Sequence, residues 1–136
     1  MRVLADTPVW SAAFRRADNQ GQDLRQELAW LIEHGAVAIM GPIRQELLSG
    51  IREKAQFDQV REALATFPDL GLETADFETA AVYFNTCRSK GVQGSMTDYL
   101  ICAVAVRRKL EIFTTDGDFA HYRKHLPIAL YAGAQA

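Results

Sequence analysis

Arg2-Val3-Leu4-Ala5-Asp6-Thr7-Pro8-Val9-Trp10 opens the chain with a short apolar run that stops at a carboxylate and a hydroxyl. Val3, Leu4 and Ala5 read as a buried strand. Pro8 ends it, because proline lacks an N–H and fixes φ. In open parallel α/β sheets, ligands sit just beyond the carboxyl ends of the strands, so Asp6 falls where a site belongs. The competing reading is local: Asp and Thr also cap or turn the chain ahead of a helix.

Working outward, a short helix is expected from Trp10 through Phe14 to about Arg16, then a loop at Asp18-Asn19-Gln20-Gly21. Leu24, Leu28, Leu31 and Ile32 recur with helical spacing between Gln22 and His34, and Gly35 ends that helix as a C′ glycine. Ala36 to Met40 is a continuous apolar run suited to a strand buried on both faces. Gly41-Pro42 then starts a helix carrying Ile43, Leu47 and Ile51 inward, with Glu46 roughly 60° from that stripe. Lys54 to Phe67 is amphipathic along Phe57, Val60, Leu64 and Phe67, and Pro68 to Gly71 breaks it. Thr74 is the expected N-cap of the next helix, whose inner face is Phe77, Ala80, Ala81, Phe84 and Cys87. Ser95 to Arg108 is apolar nearly all round. Leu110 to Thr115 reads as a strand ending at Asp116-Gly117-Asp118-Phe119, a short helix runs through Tyr122, and Pro127 to Tyr131 reads as a last strand. Strands near 2–5, 36–40, 111–114 and 128–131 alternate with helices, which argues a parallel sheet covered on both faces.

At 136 residues and 49% hydrophobic, the chain suits one domain with a full core. Cys87 and Cys102 make no disulfide framework and are expected as buried free thiols in a reducing interior. No run is long enough to span a bilayer, so a soluble, cytoplasmic protein is expected. A net charge of −2 and a pI near 5.9 exclude gripping nucleic acid by overall charge. A nucleic-acid partner would need a metal ion or a local basic patch.

Four acidic positions stand out: Asp6, Glu46, Asp98 and the pair Asp116/Asp118. Each interrupts an apolar pattern near the same predicted edge of the sheet. Each also has a local reading. Ser95-Met96-Thr97-Asp98 matches a capping box, Glu46 suits a solvent-facing helix position, and Asp116-Gly117 is a turn dipeptide with Asp118 a possible N-cap. Convergence is what those readings leave unexplained. Carboxylates sharing a cleft repel one another and raise each other's pKa unless cations are present. An all-oxygen set suits Mg²⁺ or Mn²⁺, ions able to activate water and clamp a phosphodiester.

Asp6-Thr7 after an apolar strand, Gln45-Glu46-Leu47 after the second strand, Thr97-Asp98 opening an apolar helix, and Thr114-Thr115-Asp116-Gly117-Asp118-Phe119 together resemble the PIN-domain nucleases, with the best fit to VapC-type toxins. The resemblance covers nearly the whole chain in order. It implies a single-domain, three-layer α/β/α sandwich with a short central parallel sheet, spanning residues 1–136. It implies a Mg²⁺- or Mn²⁺-dependent endoribonuclease, a homodimer, and inhibition by a VapB-type antitoxin. Asp6, Glu46 and Asp98 match the three core acids, Asp116 the fourth, and Asp118 a second acid before the phenylalanine. Thr7 and Thr114 match hydroxyl positions that support the acids or a metal-bound water. The chain departs from the pattern around the third acid, with Ser95-Met96-Thr97 before it and bulky Tyr99 after it.

Arg15 and Arg16 follow the first strand closely enough to meet an RNA backbone, although a solvated helix end is the favoured reading. His121 and His125, four apart, lack a further soft ligand for zinc and are expected at the surface. Trp10, Phe14 and the aromatics between 54 and 84 exceed what a small core needs, which leaves some to line a groove for an antitoxin segment. Two other classes compete: a PIN-like fold serving as a catalytically weak binding or assembly module, and a phosphotransferase with Asp6 as nucleophile. The latter chemistry wants an acid two residues on, where this chain has Pro8.

Overall fold

The structure is a computed structural model that describes residues 2–14 and 22–133. Arg15, Arg16 and the loop expected at 18–21 lie outside the described residues. In chain order the elements are β1 (Val3–Ala5), α1 (Thr7–Phe14), α2 (Gln22–Glu33), β2 (Val37–Ala38), α3 (Gly41–Ser49), α4 (Lys54–Leu64), α5 (Thr74–Ser89), α6 (Met96–Arg108), β3 (Glu111–Phe113) and α7 (Asp118–Arg123). The expected alternation of strands and helices, and the α/β class, are both present.

The sheet is parallel with strand order β2-β1-β3. Val3 and Leu4 pair with Val37 and Ala38 on one side, and Val3, Leu4 and Ala5 pair with Glu111, Ile112 and Phe113 on the other. The connection leaving β1 runs to one neighbour, and the connection leaving β2 returns past β1 to the other. Right-handed crossovers therefore put the two sets of helices on opposite faces, and β1 is where the strand order reverses.

Both outer strands are shorter than expected. Of the run 36–40, only Val37–Ala38 pairs as a strand, while Ile39 makes a parallel bridge to Asp69 and its carbonyl accepts from Leu70 N at 2.9 Å. The run 128–131 reduces to a bridge between Leu130 and Ile112. Its backbone still satisfies the β3 edge, with Ile112 N donating to Ala129 O at 2.8 Å and Tyr131 N to Ile112 O at 2.9 Å. Proline at 127 and glycine at 133 bracket a segment too short to hold a ladder.

The core forms between these layers. Val3, Leu4 and Ala5 are fully buried, and α6 buries seven consecutive residues from Tyr99 to Ala105, as its all-round apolarity implied. Cys87 and Cys102 are buried free thiols. Gly35 takes φ +62°, and the Gly35 and Ala36 N–H groups close α2 onto Ile32 and Leu31, the Schellman arrangement expected of a C′ glycine. Arg44 on α3 binds Asp69 at 2.9 Å and the Leu64 carbonyl at 3.1 Å, which ties the end of α4 to the sheet edge.

Helix α5 differs most from expectation. Its N-cap is Glu73, whose N–H donates to Asp76 Oδ2 at 2.8 Å, so Thr74 is already the first helical residue. Asp76 is almost completely buried and holds Arg107 of α6 through two bonds of 2.6 and 2.8 Å. Phe77 and Ala81, expected inward, face outward, and Phe77 is 54% exposed. This ion pair, its carboxylate buried and its guanidinium open to solvent, fixes how α5 lies on α6, and the predicted apolar stripe turns partly to the surface.

Candidate active site

Asp6 follows β1 directly, and its backbone carbonyl accepts from Val9 N at 3.0 Å, so it also begins α1. Its carboxylate is buried; Oδ1 accepts from Thr7 N at 2.8 Å and Oδ2 from Thr114 Oγ1 at 2.9 Å. Thr114 follows β3, the strand beside β1, and the same hydroxyl accepts from Asp116 N at 3.0 Å. One threonine thus bridges the acids at the ends of two adjacent strands. Asp116 Oδ1 in turn accepts from Asp118 N at 2.9 Å, the Asx-type turn that starts α7.

Asp98 lies in the first turn of α6. Ser95 Oγ accepts from Asp98 N at 3.0 Å, so the capping reading holds locally. The carboxylate, however, is half-buried and takes a second role: Tyr122 Oη on α7 donates to Asp98 Oδ2 at 2.7 Å. Glu46, on α3, is exposed and lines a cleft of about 560 Å³ together with Thr7, Ser11, Phe14, Arg52 and Gln56.

The electrostatics join four of these acids. Burial pushes the Asp6 carboxyl up to about 6, against the hydrogen bonds from Thr114 and Thr7, and the charges of Asp98 and Glu46 push it the same way. Burial also raises Asp98, with Asp116 adding to the effect and hydrogen bonds from Tyr122 and Ser95 opposing it. Asp6, Glu46, Asp98 and Asp116 therefore share one field at the carboxyl ends of β1 and β3, where the strand order reverses. Asp118 stands apart. It is exposed, its charge acts on Tyr122, and it lines a smaller cavity of about 280 Å³ with Gly91, Gln93 and His121. His121 and His125 are both at the surface.

Among the described residues, no three acidic, histidine or cysteine side chains stand close enough, as placed, to share an ion. Mg²⁺ retains several waters and reaches carboxylates through them, so a looser ring of acids still serves it. Two features agree with a cation there. Asp6 is raised by burial and by the charges of Asp98 and Glu46, and Asp98 by burial and the charge of Asp116, a cost that a positive charge offsets. Thr7 Oγ1 is buried beside Asp6 with no hydrogen-bond partner among the described residues, an orphan that a water or ion would satisfy. The donors are all oxygen, which suits a hard ion.

Tyr122 was not legible as a site residue. It occupies an inner position of α7, three residues after Phe119, and looks like core. The available signal was chemical: a buried tyrosine needs a partner for its hydroxyl. Tyr99, the bulky residue after Asp98, is buried against Tyr122 and Phe84. Of the surplus aromatics, Trp10 is core, Phe14 lines the cleft that Thr7 and Glu46 also line, and Phe77 and Phe84 line a separate apolar groove with Pro42, Met96 and Leu100.

The family model described as PIN domain matches residues 3–125. Ribonuclease VapC11 of Mycobacterium tuberculosis is 31% identical over 121 residues, covering 86% of this chain and 88% of the relative, and a VapC ribonuclease of Mycobacterium bovis matches equally. The chain belongs to the PIN-domain family, within its VapC group. Solved structures agree on the fold. VapBC2 from Rickettsia felis, crystallised with a DNA fragment from its promoter, superposes with a TM-score of 0.78 at 15% identity, covering 98% of this chain and 99% of that one. FitAcB from Neisseria gonorrhoeae gives 0.74 at 21% identity, covering 95% and 96%. VapBC-5 from M. tuberculosis, of the VapBC family of toxin–antitoxin systems, gives 0.67 at 20%, covering 95% and 96%. In none of the described residues is there a helix long and apolar enough to cross a membrane.

Proposed function

We propose that this chain is an endoribonuclease toxin dependent on Mg²⁺ or Mn²⁺ and neutralised by a cognate VapB-type antitoxin. The observation that carries the reading is the field shared by Asp6, Glu46, Asp98 and Asp116 at the sheet's switch point, in a chain related to VapC ribonucleases. Asp6 and Asp98 would hold the principal ion, Asp116 would complete its surroundings, and Glu46 would hold a second ion or orient water. When bound, the metal supplies positive charge for the phosphodiester and lowers the pKa of a bound water. Thr114 keeps Asp6 and Asp116 aligned, and Thr7 offers its free hydroxyl to a water in the site. Glu46, exposed on the wall of the cleft beside Thr7, is placed to orient a water toward the phosphorus. Asp118, on the outer side of α7, is proposed as a peripheral contributor. The whole of residues 1–136 is read as one nuclease domain.

Partners are proposed on the same footing. VapBC structures with this fold support an antitoxin, and a homodimer is proposed alongside it. A second reading, a binding module with weak catalysis, is favoured by the absence of three ligands at shared distance among the described residues. Product chemistry tests the first. Attack by water leaves no 2′,3′-cyclic phosphate, whereas attack by the ribose 2′-hydroxyl does. Cleavage products without cyclic ends, formed only with divalent metal and suppressed by the antitoxin, are expected. Cyclic ends, or cleavage undiminished in EDTA, would overturn the proposal.

A further inference from the structure

We infer that Tyr122 is a positioning residue for Asp98, and that Gly94 supplies the room it needs. The inference rests on the metal-nuclease reading of the site. Asp98 lies in the first turn of α6, half-buried, where a carboxylate has several rotamers open to it. Tyr122 is fully buried, its ring packed against Tyr99 at 5.0 Å and Phe119 at 5.1 Å, and its hydroxyl donates to Asp98 Oδ2 at 2.7 Å. A rigid phenol of this kind removes the carboxylate's freedom. It does so as a neutral donor. A lysine or arginine at the same place would hold Asp98 as firmly but compete with a cation for its charge.

Gly94 is the second, independent observation. A Cβ built there would lie 2.2 Å from Tyr122 Oη, 2.7 Å from Cζ and 2.9 Å from Cε1. Gly94 is not among the glycines with positive φ, so the backbone does not require glycine; the approach of the phenol does. Any larger residue at 94 pushes the hydroxyl off Asp98. The loop before α6, the carboxylate in its first turn and the ring on α7 form one fitted unit.

Mn²⁺ binding, followed by electron paramagnetic resonance without RNA, tests the unit on the wild-type chain, Tyr122→Phe, Gly94→Ala and Tyr99→Phe, each with its melting temperature. Loss of a hydrogen bond that orients a metal ligand costs about 10–100-fold in affinity. Tyr122→Phe and Gly94→Ala are expected to bind Mn²⁺ about tenfold more weakly while folded. Tyr99→Phe is expected to keep wild-type affinity, because that hydroxyl faces Val92 O at 3.5 Å and not an acid. A folded Tyr122→Phe chain with wild-type Mn²⁺ affinity would overturn the inference. So would an equal loss in Tyr99→Phe, which would assign the effect to packing. If Gly94→Ala does not fold, Tyr122→Phe decides alone, since it adds no atom. A wild-type chain that binds no Mn²⁺ would sink the metal reading and this inference together; a loss confined to the inference leaves wild-type binding intact.

Discussion

Asp6 is held at a cost. Its folded pKa of about 6 lies above the ordinary 3.8, so the folded state prefers the protonated acid. That preference is fully present below the unfolded pKa and is lost as pH rises through about 6. In EDTA, the wild-type chain should therefore lose more stability between those limits than Asp6→Asn, in which the raised Asp98 still contributes with the same sign. At pH 7 the variant should be more stable by at most about 3 kcal/mol, less about 1 kcal/mol for the acceptor an amide cannot offer to both Thr7 N and Thr114 Oγ1, with the advantage gone in acid. Thermal melts across the pH range measure this; a wild type more stable than Asp6→Asn at pH 7 without metal would contradict it. A second contrast concerns the pair near the end of β3. Asp116→Asn should lower metal-dependent cleavage by about 100-fold or more, whereas Asp118→Asn should stay within about tenfold, and rates on one RNA compare them. The four coupled acids were legible because each interrupts an apolar pattern at a strand end or helix start. Tyr122 and Gly94 were not, because their relation to Asp98 spans separate segments and leaves no local spacing.

Among the elements, α5 and α6 are joined by an ion pair between buried Asp76 and the partly solvated Arg107. Hydrogen bonding to Arg107 holds Asp76 below its ordinary range, despite burial. A depressed folded pKa gives stability that is present above the unfolded value and is lost as pH falls through the folded one. Asp76→Asn should thus destabilise the chain by about 1–3 kcal/mol at neutral pH, since Arg107 remains partly solvated. The gap to wild type should narrow in acid, below the ordinary carboxylate pKa. Denaturant midpoints at neutral and acidic pH read both. Truncation in α6 should cost more: Ile101→Ala, at a fully buried position, is expected to lose about 2–5 kcal/mol. Periodicity located both helices. It could not give their relative rotation, because an ion pair 31 residues apart has no signature in either helix alone. The strand expected at 128–131 was misread for a related reason: its apolar pattern reports burial at the sheet edge, where Ile128 does lie buried, and not ladder length.

The whole molecule is arranged around the reversal of strand order at β1. The carboxyl ends of β1 and β3 deliver Asp6 and Thr114 side by side, and the crossover helices bring Glu46 and Asp98 to the same edge. This much followed from short apolar strands ending in acids, the pattern that made the family legible. An acidic site in a chain of net charge −2 needs a cation to meet an acidic polymer. The measurement that bears most directly on this is cleavage of mixed cellular RNA by the purified, partner-free chain, run with Mg²⁺ or Mn²⁺, with EDTA, and with Asp98→Asn. Discrete products that require both the metal and Asp98, from a variant that melts like the folded wild type, are the expected result. Undiminished cleavage by Asp98→Asn would contradict the account; no cleavage by a wild-type chain whose melting temperature is also unmoved by Mn²⁺ would contradict it too, and would favour a binding module.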